Sequence, residues 1–228
     1  MGVFKVSDFL DTEHTIAKYM FESVKNPWEV LPGIGVFIEA LGPNLPPDEF
    51  EQRGDNVWIS KSATIAPTAY IGGPCIIDAG TQVRHCAFIR GNAIIGKDCV
   101  IGNSTEIKNS IIFDGVQIPH YNYVGDSILG HKSHLGAGAI TSNVKNDNSN
   151  VEVKFPLGKI DTKLRKFGAV IGDFTQVGCN TILNPGTVIG RNVSIYPLSN
   201  VRGVINENMI YKANGKIVQK IKLRKNEE

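Results

Sequence analysis

No apolar run in this chain approaches the roughly 18 residues that a transmembrane helix needs, so a membrane-spanning reading is set aside from the start. There is no large basic excess either. Lys and Arg number 24 against 22 Asp and Glu, too even a balance for a protein that grips nucleic acid through phosphate contacts. The four cysteines (Cys75, Cys86, Cys99, Cys179) form no CxxC pair and show no metal-ligand spacing; they read as reduced packing residues of a cytosolic protein. The N-terminal stretch MGVFKVSDFLDTEHT has no basic segment leading into an apolar one, so no signal peptide is expected. Val6 stands where a myristoylation site needs Ser or Thr. Residues 1–54 contain no glycine-rich nucleotide-binding loop. An ordinary soluble protein of the cytoplasm, with neither nucleic acid nor membrane as partner, is what these absences leave.

What is present is a period of six. From Ile59 every sixth residue is apolar through Ile65, Ile71, Ile77, Val83, Ile89, Ile95, Ile101, Ile107 and Phe113, and the pattern returns from Ile171 to Val201. Between these runs Val124, Leu129 and Leu135 continue it with one five-residue step. Glycine, alanine or serine often follows the aliphatic residue, as at Ala66, Gly72, Gly96, Gly102 and Gly190. A helix of 3.6 residues per turn would scatter such positions around its circumference, and no single strand runs for ten hexads. Short strands joined by tight corners satisfy both limits. Each key aliphatic then points into a prism and stacks on its counterpart one coil away.

This spacing resembles that of the left-handed parallel β-helix family, with three hexads to a coil. The resemblance implies a mainly β fold: a β-helix over residues 55–203, an insertion loop at 144–168, a helical cap or linker at 1–54, and a hairpin and tail at 204–228. In the first segment, Ala17, Met20, Phe21 and Val24 have the spacing of an amphipathic helix ending at Asn26-Pro27. The segment is expected to cap the open end of the β-helix or to pack on a neighbouring subunit. In the insertion, Val151–Phe155 suits a strand and Pro156-Leu157-Gly158 a turn, and the loop carries six cations against three acids. Met209–Leu223 reads as a hairpin turning at Asn214-Gly215.

Chemistry gathers where the hexads slacken. Pro119-His120-Tyr121-Asn122-Tyr123-Val124-Gly125-Asp126 places a histidine after a proline, with two tyrosines, an asparagine and an aspartate close by. Together with Lys108 and the stretch Leu135-Gly136-Ala137-Gly138-Ala139-Ile140-Thr141-Ser142-Asn143, it resembles the acetyltransferase half of bacterial glucosamine-1-phosphate N-acetyltransferase. It is similar also to the β-helical part of archaeal sugar-1-phosphate nucleotidyltransferase/acetyltransferases. The resemblance implies an acetyl-CoA-dependent N-acetyltransferase of glucosamine-1-phosphate or galactosamine-1-phosphate, working as a homotrimer. By the same resemblance His120 falls on the catalytic base, and Arg90 and Lys108 on the cations that hold the phosphate. Tyr123 and Asn143 fall on pocket residues, and Ala137, Cys179 and Pro197 on the acetyl-CoA channel. Lys154 is taken for the family's loop lysine. His134 stands where the bacterial enzyme has an asparagine, and the long 144–168 loop follows the archaeal pattern; both leave the amino sugar open. The chain has no room for a nucleotidyltransferase half, so a bifunctional activity is not expected.

These residue types suit the reaction. An amine attacking a thioester must lose a proton as the bond forms. A histidine with a reference pKa near ~6.5 is placed to take it, for roughly 10²–10⁴ in rate. Arg can clamp a phosphate through two donors and Lys as a point charge. Arg90 and Lys108 are three hexads apart and should stack on one corner, with the His120 imidazole facing the same groove. Besides an acetyltransferase for another amine, such as a nucleotide-linked amino sugar or an amino acid, against which the Arg90/Lys108 pair argues, two other readings stay open. One is a non-catalytic β-helix scaffold. The other is a zinc protein like the γ-class carbonic anhydrases, drawing on His85, His120, His131 and His134, although the third histidine expected soon after His120 is missing.

Overall fold

The computed structural model describes residues 4–221. Three parallel sheets wrap into a left-handed β-helix. Face A is built from Val57–Ser60, Cys75–Ile77, Ala93–Ile95, Ser110–Ile112, Ile128–Leu129, Ala169–Ile171, Thr187–Ile189 and Val204–Ile205. Face B runs Thr64–Ile65, Gln82–Val83, Val100–Asn103, Gln117–His120, His134–Leu135, Gln176–Val177, Ser194–Ile195 and Met209–Tyr211. Face C runs Tyr70–Ile71, Phe88–Ile89, Glu106–Lys108, Tyr123–Gly125, Ile140–Thr141, Ile182–Leu183 and Asn200–Val201. Ile59, Ile77, Ile95, Ile112, Leu129, Ile171, Ile189 and Ile205 pair rung to rung as one buried column on face A. The expected period of six thus builds the core.

The register corrects one detail. Ile112, not Phe113, sits above Ile95. The chain therefore takes a five-residue step from Ile107 to Ile112 as well as from Val124 to Leu129. The extra slip is invisible in the sequence because Ile111, Ile112 and Phe113 are all apolar. Phe113 instead meets Phe21 edge-on, with ring centroids 5.7 Å apart.

Face A is buried on both sides. Successive strand residues point to opposite sides, so Ile76, Ile94, Ile111, Ile128, Val170 and Val188 point outward, yet each is fully buried. Burying one such side chain is worth about 1.5–3 kcal/mol. The cover is the N-terminal segment together with the insertion. The helix Ile34–Leu41 packs on strands Cys75–Ile77 and Ala93–Ile95. Trp28 meets Phe167 at 5.6 Å. The hairpin Glu152–Phe155/Gly158–Asp161, closed by a Val144–Lys166 bridge, lies on Thr187–Ile189 and Val204–Ile205. Phe4 and Phe155 touch at 5.6 Å and join the two covers.

Residues 4–49 run along the flank, where the outward isoleucines need cover. The open edge of face A is closed by Phe50–Gly54, antiparallel to Val57–Ser60. Nor do Ala17, Met20, Phe21 and Val24 form an α-helix. A single 3₁₀ turn, Lys18–Phe21, presents them to the core, since so short a run has little helical stability of its own and docking decides its shape. Met209–Tyr211 and Ile217–Gln219 make the expected hairpin, with Gly215 in the left-handed region at φ +80°; Lys222 and Leu223 lie outside the described residues. Cys75 and Cys99 are packing residues, and burial pushes both thiols up to about 12. Cys86 and Cys179 are exposed, because each lies on a corner and not on a strand.

Candidate active site

Face C carries the polar cluster. Its strands are so short that only two side chains per rung point outward. The resulting columns are Phe88, Glu106, Tyr123, Ile140 along one line and Arg90, Lys108, Gly125 along the next. Arg90 and Lys108 stack as expected, on the edge of face C that turns into face A. Arg90 pairs with Glu106 at 2.8 Å, and Lys108 with Asp126 at 3.1 Å. Asp126 also accepts from Asn109 Nδ2 at 2.9 Å and from Asn143 Nδ2, which donates to the Tyr123 hydroxyl at 3.2 Å as well. Burial holds the Tyr123 phenol above its ordinary pKa, with the nearby Asp126 and Glu106 charges acting in the same direction. Two cations and two carboxylates thus form an internally neutral group around one phenol and two amides.

His120 stands on the other edge of face C. It ends the face B strand Gln117–His120, and Tyr121, at φ +49°, turns the chain onto face C. The buried Asn122 pins this corner: its Oδ1 accepts the His120 N–H at 3.1 Å, and its Nδ2 donates to the Gly136 and Ala139 carbonyls. The His120 side chain is exposed, outside the prism. His120 and the two cations stand on different corners of the prism, either side of face C. The three flank face C from opposite edges, separated by a three-residue strand of roughly 7–10 Å, because the slip after Ile107 does not alter the fact that His120 closes face B while the cations close face C.

His120 belongs to a second column, along the B–C corner. Tyr121 N donates to Asn103 O, Gly138 N to His120 O, Asn180 N to Ala137 O and Leu198 N to Cys179 O. Positions 103, 120, 137, 179 and 197 therefore follow one another coil by coil. The residue after each adopts a positive φ, from +49° at Tyr121 to +70° at Gly138. Ala137, Cys179 and Pro197 are at least partly exposed and lead away from His120 over three coils, roughly 14 Å at about 4.8 Å per coil. His85 lies on the same column two coils the other way and bonds the Thr68 hydroxyl at 2.9 Å. Among the described residues no group of His, Cys, Asp and Glu is arranged to hold a metal ion. His131 lies elsewhere, stacked on His14 at 3.7 Å.

His134 sits on face B between Gln117 and Gln176, in a groove of about 560 Å³ that Lys132 and Asp98 also line. Burial, and then the closeness of His120, lower its pKa from the ordinary histidine value. Lys154 is not brought to the cluster. Its backbone carbonyl packs at Gly203 and its side chain lines a cleft with Lys145 and Arg202, about four coils or roughly 19 Å along the axis from Lys108. The loop's cations are largely answered locally: Lys145 pairs with Asp147, Lys159 with Glu152 and Lys163 with Asp161. A cavity of about 630 Å³ between Leu10, Phe21 and Arg191 lies against the N-terminal segment and takes no residue of face C. Sequence reading missed Glu106, Asn109 and, as a contact residue, Asp126. Asp126 was visible within the motif, but only the fold shows that three donors converge on it.

Comparison with known proteins agrees with this architecture. Residues 71–157 match the family described as the GMPPB C-terminal domain, and residues 168–203 match the bacterial transferase hexapeptide (six repeats). The chain is 33% identical over 195 residues to the Escherichia coli (strain K12) protein YaiX, described as an uncharacterized acetyltransferase; the match covers 75% of this chain and 82% of that one. It is 34% identical over 204 residues to the bifunctional protein GlmU of Methanococcus vannielii, covering 88% of this chain and 49% of the relative. The chain thus spans about half the length of that relative. The acetyltransferase domain of PglB from Neisseria gonorrhoeae FA1090, solved with acetyl coenzyme A, shares 19% identity over 69% of this chain and 55% of that one, with a TM-score of 0.35. The chain belongs to the hexapeptide-repeat transferase family.

Proposed function

We propose that the protein transfers an acetyl group from acetyl-CoA to the amine of an amino-sugar 1-phosphate, glucosamine-1-phosphate or galactosamine-1-phosphate. The observation that carries this reading is the placement of Lys108, Tyr123 and Asn143 around one edge of face C, with His120 on the other. A sugar phosphate laid across face C has its anionic end toward Arg90 and Lys108 and its amine toward the imidazole. Long Arg and Lys side chains span the strand between them. His120 takes the proton that the amine loses, and its backbone is held for this by Asn122. Tyr123 and Asn143 meet ring hydroxyls, and His134, held toward its neutral form by its lowered pKa, borders the acceptor from face B.

The B–C column fits the cofactor. Ala137, Cys179 and Pro197 are exposed or partly so and run away from His120 in a straight line, which suits an extended pantetheine arm. Acetyl-CoA bound there supplies the thioester. The name of one relative points the same way, since YaiX is described as an acetyltransferase. The homotrimer implied by the family resemblance belongs to the same proposal. Face C leaves Tyr70 and Phe88 exposed, with ring centroids 5.5 Å apart, a surface for a second copy that sedimentation would detect.

The deciding assay follows thiol release from acetyl-CoA with both amino-sugar 1-phosphates and with the free sugars. Turnover with a phosphorylated amine, lowered about 10²-fold or more in His120→Asn, is expected. Absence of turnover at millimolar acceptor would leave the scaffold reading.

A further inference from the structure

Where face C turns into face A, one residue type recurs coil after coil. Asn92, Asn109 and Asp126 occupy equivalent corner positions at φ +48°, +45° and +49°, and Asn143 follows in the next coil. Asparagine is the ordinary choice for a left-handed corner, and stacked asparagines bond to one another along a coil axis. An asparagine at 126 would therefore serve the backbone as well as its three neighbours do. The carboxylate is the exception in the ladder, and it is also the buried partner of Lys108.

Burying a carboxylate is costly unless it is paired and hydrogen-bonded. The Asp126 side chain is only 6% exposed and that of Lys108 20%. Three donors meet the carboxylate: Asn109 Nδ2 on Oδ1, and Lys108 Nζ and Asn143 Nδ2 on Oδ2. An ionised carboxylate only accepts, so this convergence suits it. Lys108 has three N–H donors and spends one here, which leaves two for a ligand.

We propose that Asp126 is a positioning residue of the acceptor site: its charge holds the Lys108 ammonium and the Asn143 amide where the acceptor's phosphate and sugar meet them. This rests on the reading of face C as the acceptor site. The charge, not the shape, is the claim. In Asp126→Asn the Asn109 amide turns over to meet the new amide, so the ladder is retained and only the charge is lost.

The test has two arms on the full-length protein. In the kinetic arm, Asp126→Asn is expected to raise KM for the amino-sugar phosphate about tenfold while KM for acetyl-CoA stays within about twofold. In a Lys108→Met background the same change should add little, as expected of two residues acting as one unit. In the labelling arm, which needs no substrate, the rate of Lys108 modification by acetic anhydride, read by peptide mass spectrometry, should rise several-fold in Asp126→Asn. An unchanged or lowered acceptor KM in Asp126→Asn, or effects that simply add in the double variant, would overturn the proposal, since the carboxylate would then merely oppose the phosphate or act elsewhere. If wild-type protein turns over no amino-sugar phosphate, the transferase reading and the acceptor role fall together. The labelling arm then decides alone whether Asp126 holds Lys108, and an unchanged rate refutes that too.

Discussion

Tyr123 lies across Gly125: a Cβ built on that glycine would stand 2.5 Å from the phenol oxygen and 2.8 Å from Asn143 Nδ2. The glycine is needed for what crosses above it, so Gly125→Ala pushes the phenol and the Asn143 amide off face C. Displacement of positioned groups by about 1 Å can cost on the order of 10²-fold. We expect kcat/KM for the acceptor to fall by about that factor while the melting temperature moves little. Wild-type kcat/KM in this variant would remove Tyr123 from the site.

The two cations should not count equally. Arg90 and Glu106 pair in solvent, where water screens the attraction, whereas Lys108 is largely buried against Asp126. Lys108→Ala should therefore raise acceptor KM more than Arg90→Ala, and both effects should vanish for an acceptor without phosphate. Comparing KM for the phosphorylated and free amino sugar in each variant checks this. Equal effects on both acceptors would argue against phosphate recognition here.

Phe113 links the coils to their cover. It is fully buried and meets Phe21 edge-on. Phe113→Ala should cost about 3–5 kcal/mol in chemical unfolding. A double cycle with Phe21→Ala should show a coupling of about 0.5–1.5 kcal/mol. Additive losses would mean that the N-terminal segment is held by its other contacts alone.

The N-terminal segment is also held by a stacked imidazole pair, His14 on His131. His131 Nδ1 is 2.9 Å from the Asp114 carbonyl, and its surroundings include Asp114, Asp173, Lys132 and His14. Burial first, and then His14, lower the pKa of His131. The unfolded chain therefore takes up a proton before the folded one. The stability that neutral His131 contributes is present above the unfolded value of about 6.5 and is lost as pH falls toward the folded value. Acidification from about pH 7 to 5.5 should lower the melting temperature, and His14→Gln should flatten that slope. The raised carboxyl groups of Asp78, Asp114 and Asp173 act in the opposite sense at lower pH, so the His14→Gln difference, not the raw slope, is the measurement. Identical slopes in the two proteins would dismiss the pair.

Much of this architecture was legible in the residue order. A strict six-residue aliphatic period admits only short strands and corners, so the prism, its buried columns and the stacking of Arg90 on Lys108 follow from local spacing. The doublets Ile76-Ile77, Ile94-Ile95 and Val170-Ile171 held a further signal: a strand apolar on both sides is covered on both sides. What the N-terminal residues would form was not legible. Ala17, Met20, Phe21 and Val24 carry a helical spacing, yet the chain there folds only a single 3₁₀ turn, Lys18–Phe21, and packs all four against the core.

Sequence alone determined that this chain coils, because a period of six is a local property that each hexad repeats. Only the tertiary structure decided which corner each functional side chain occupies. It put His120 across face C from Lys108, sent Lys154 some four coils away, and gathered Asn109, Asp126 and Asn143 on one ladder. The reason is geometric. His120 ends a face B strand while Lys108 ends a face C strand, and residues 17 or 42 apart in the chain become neighbours only once the coils are stacked.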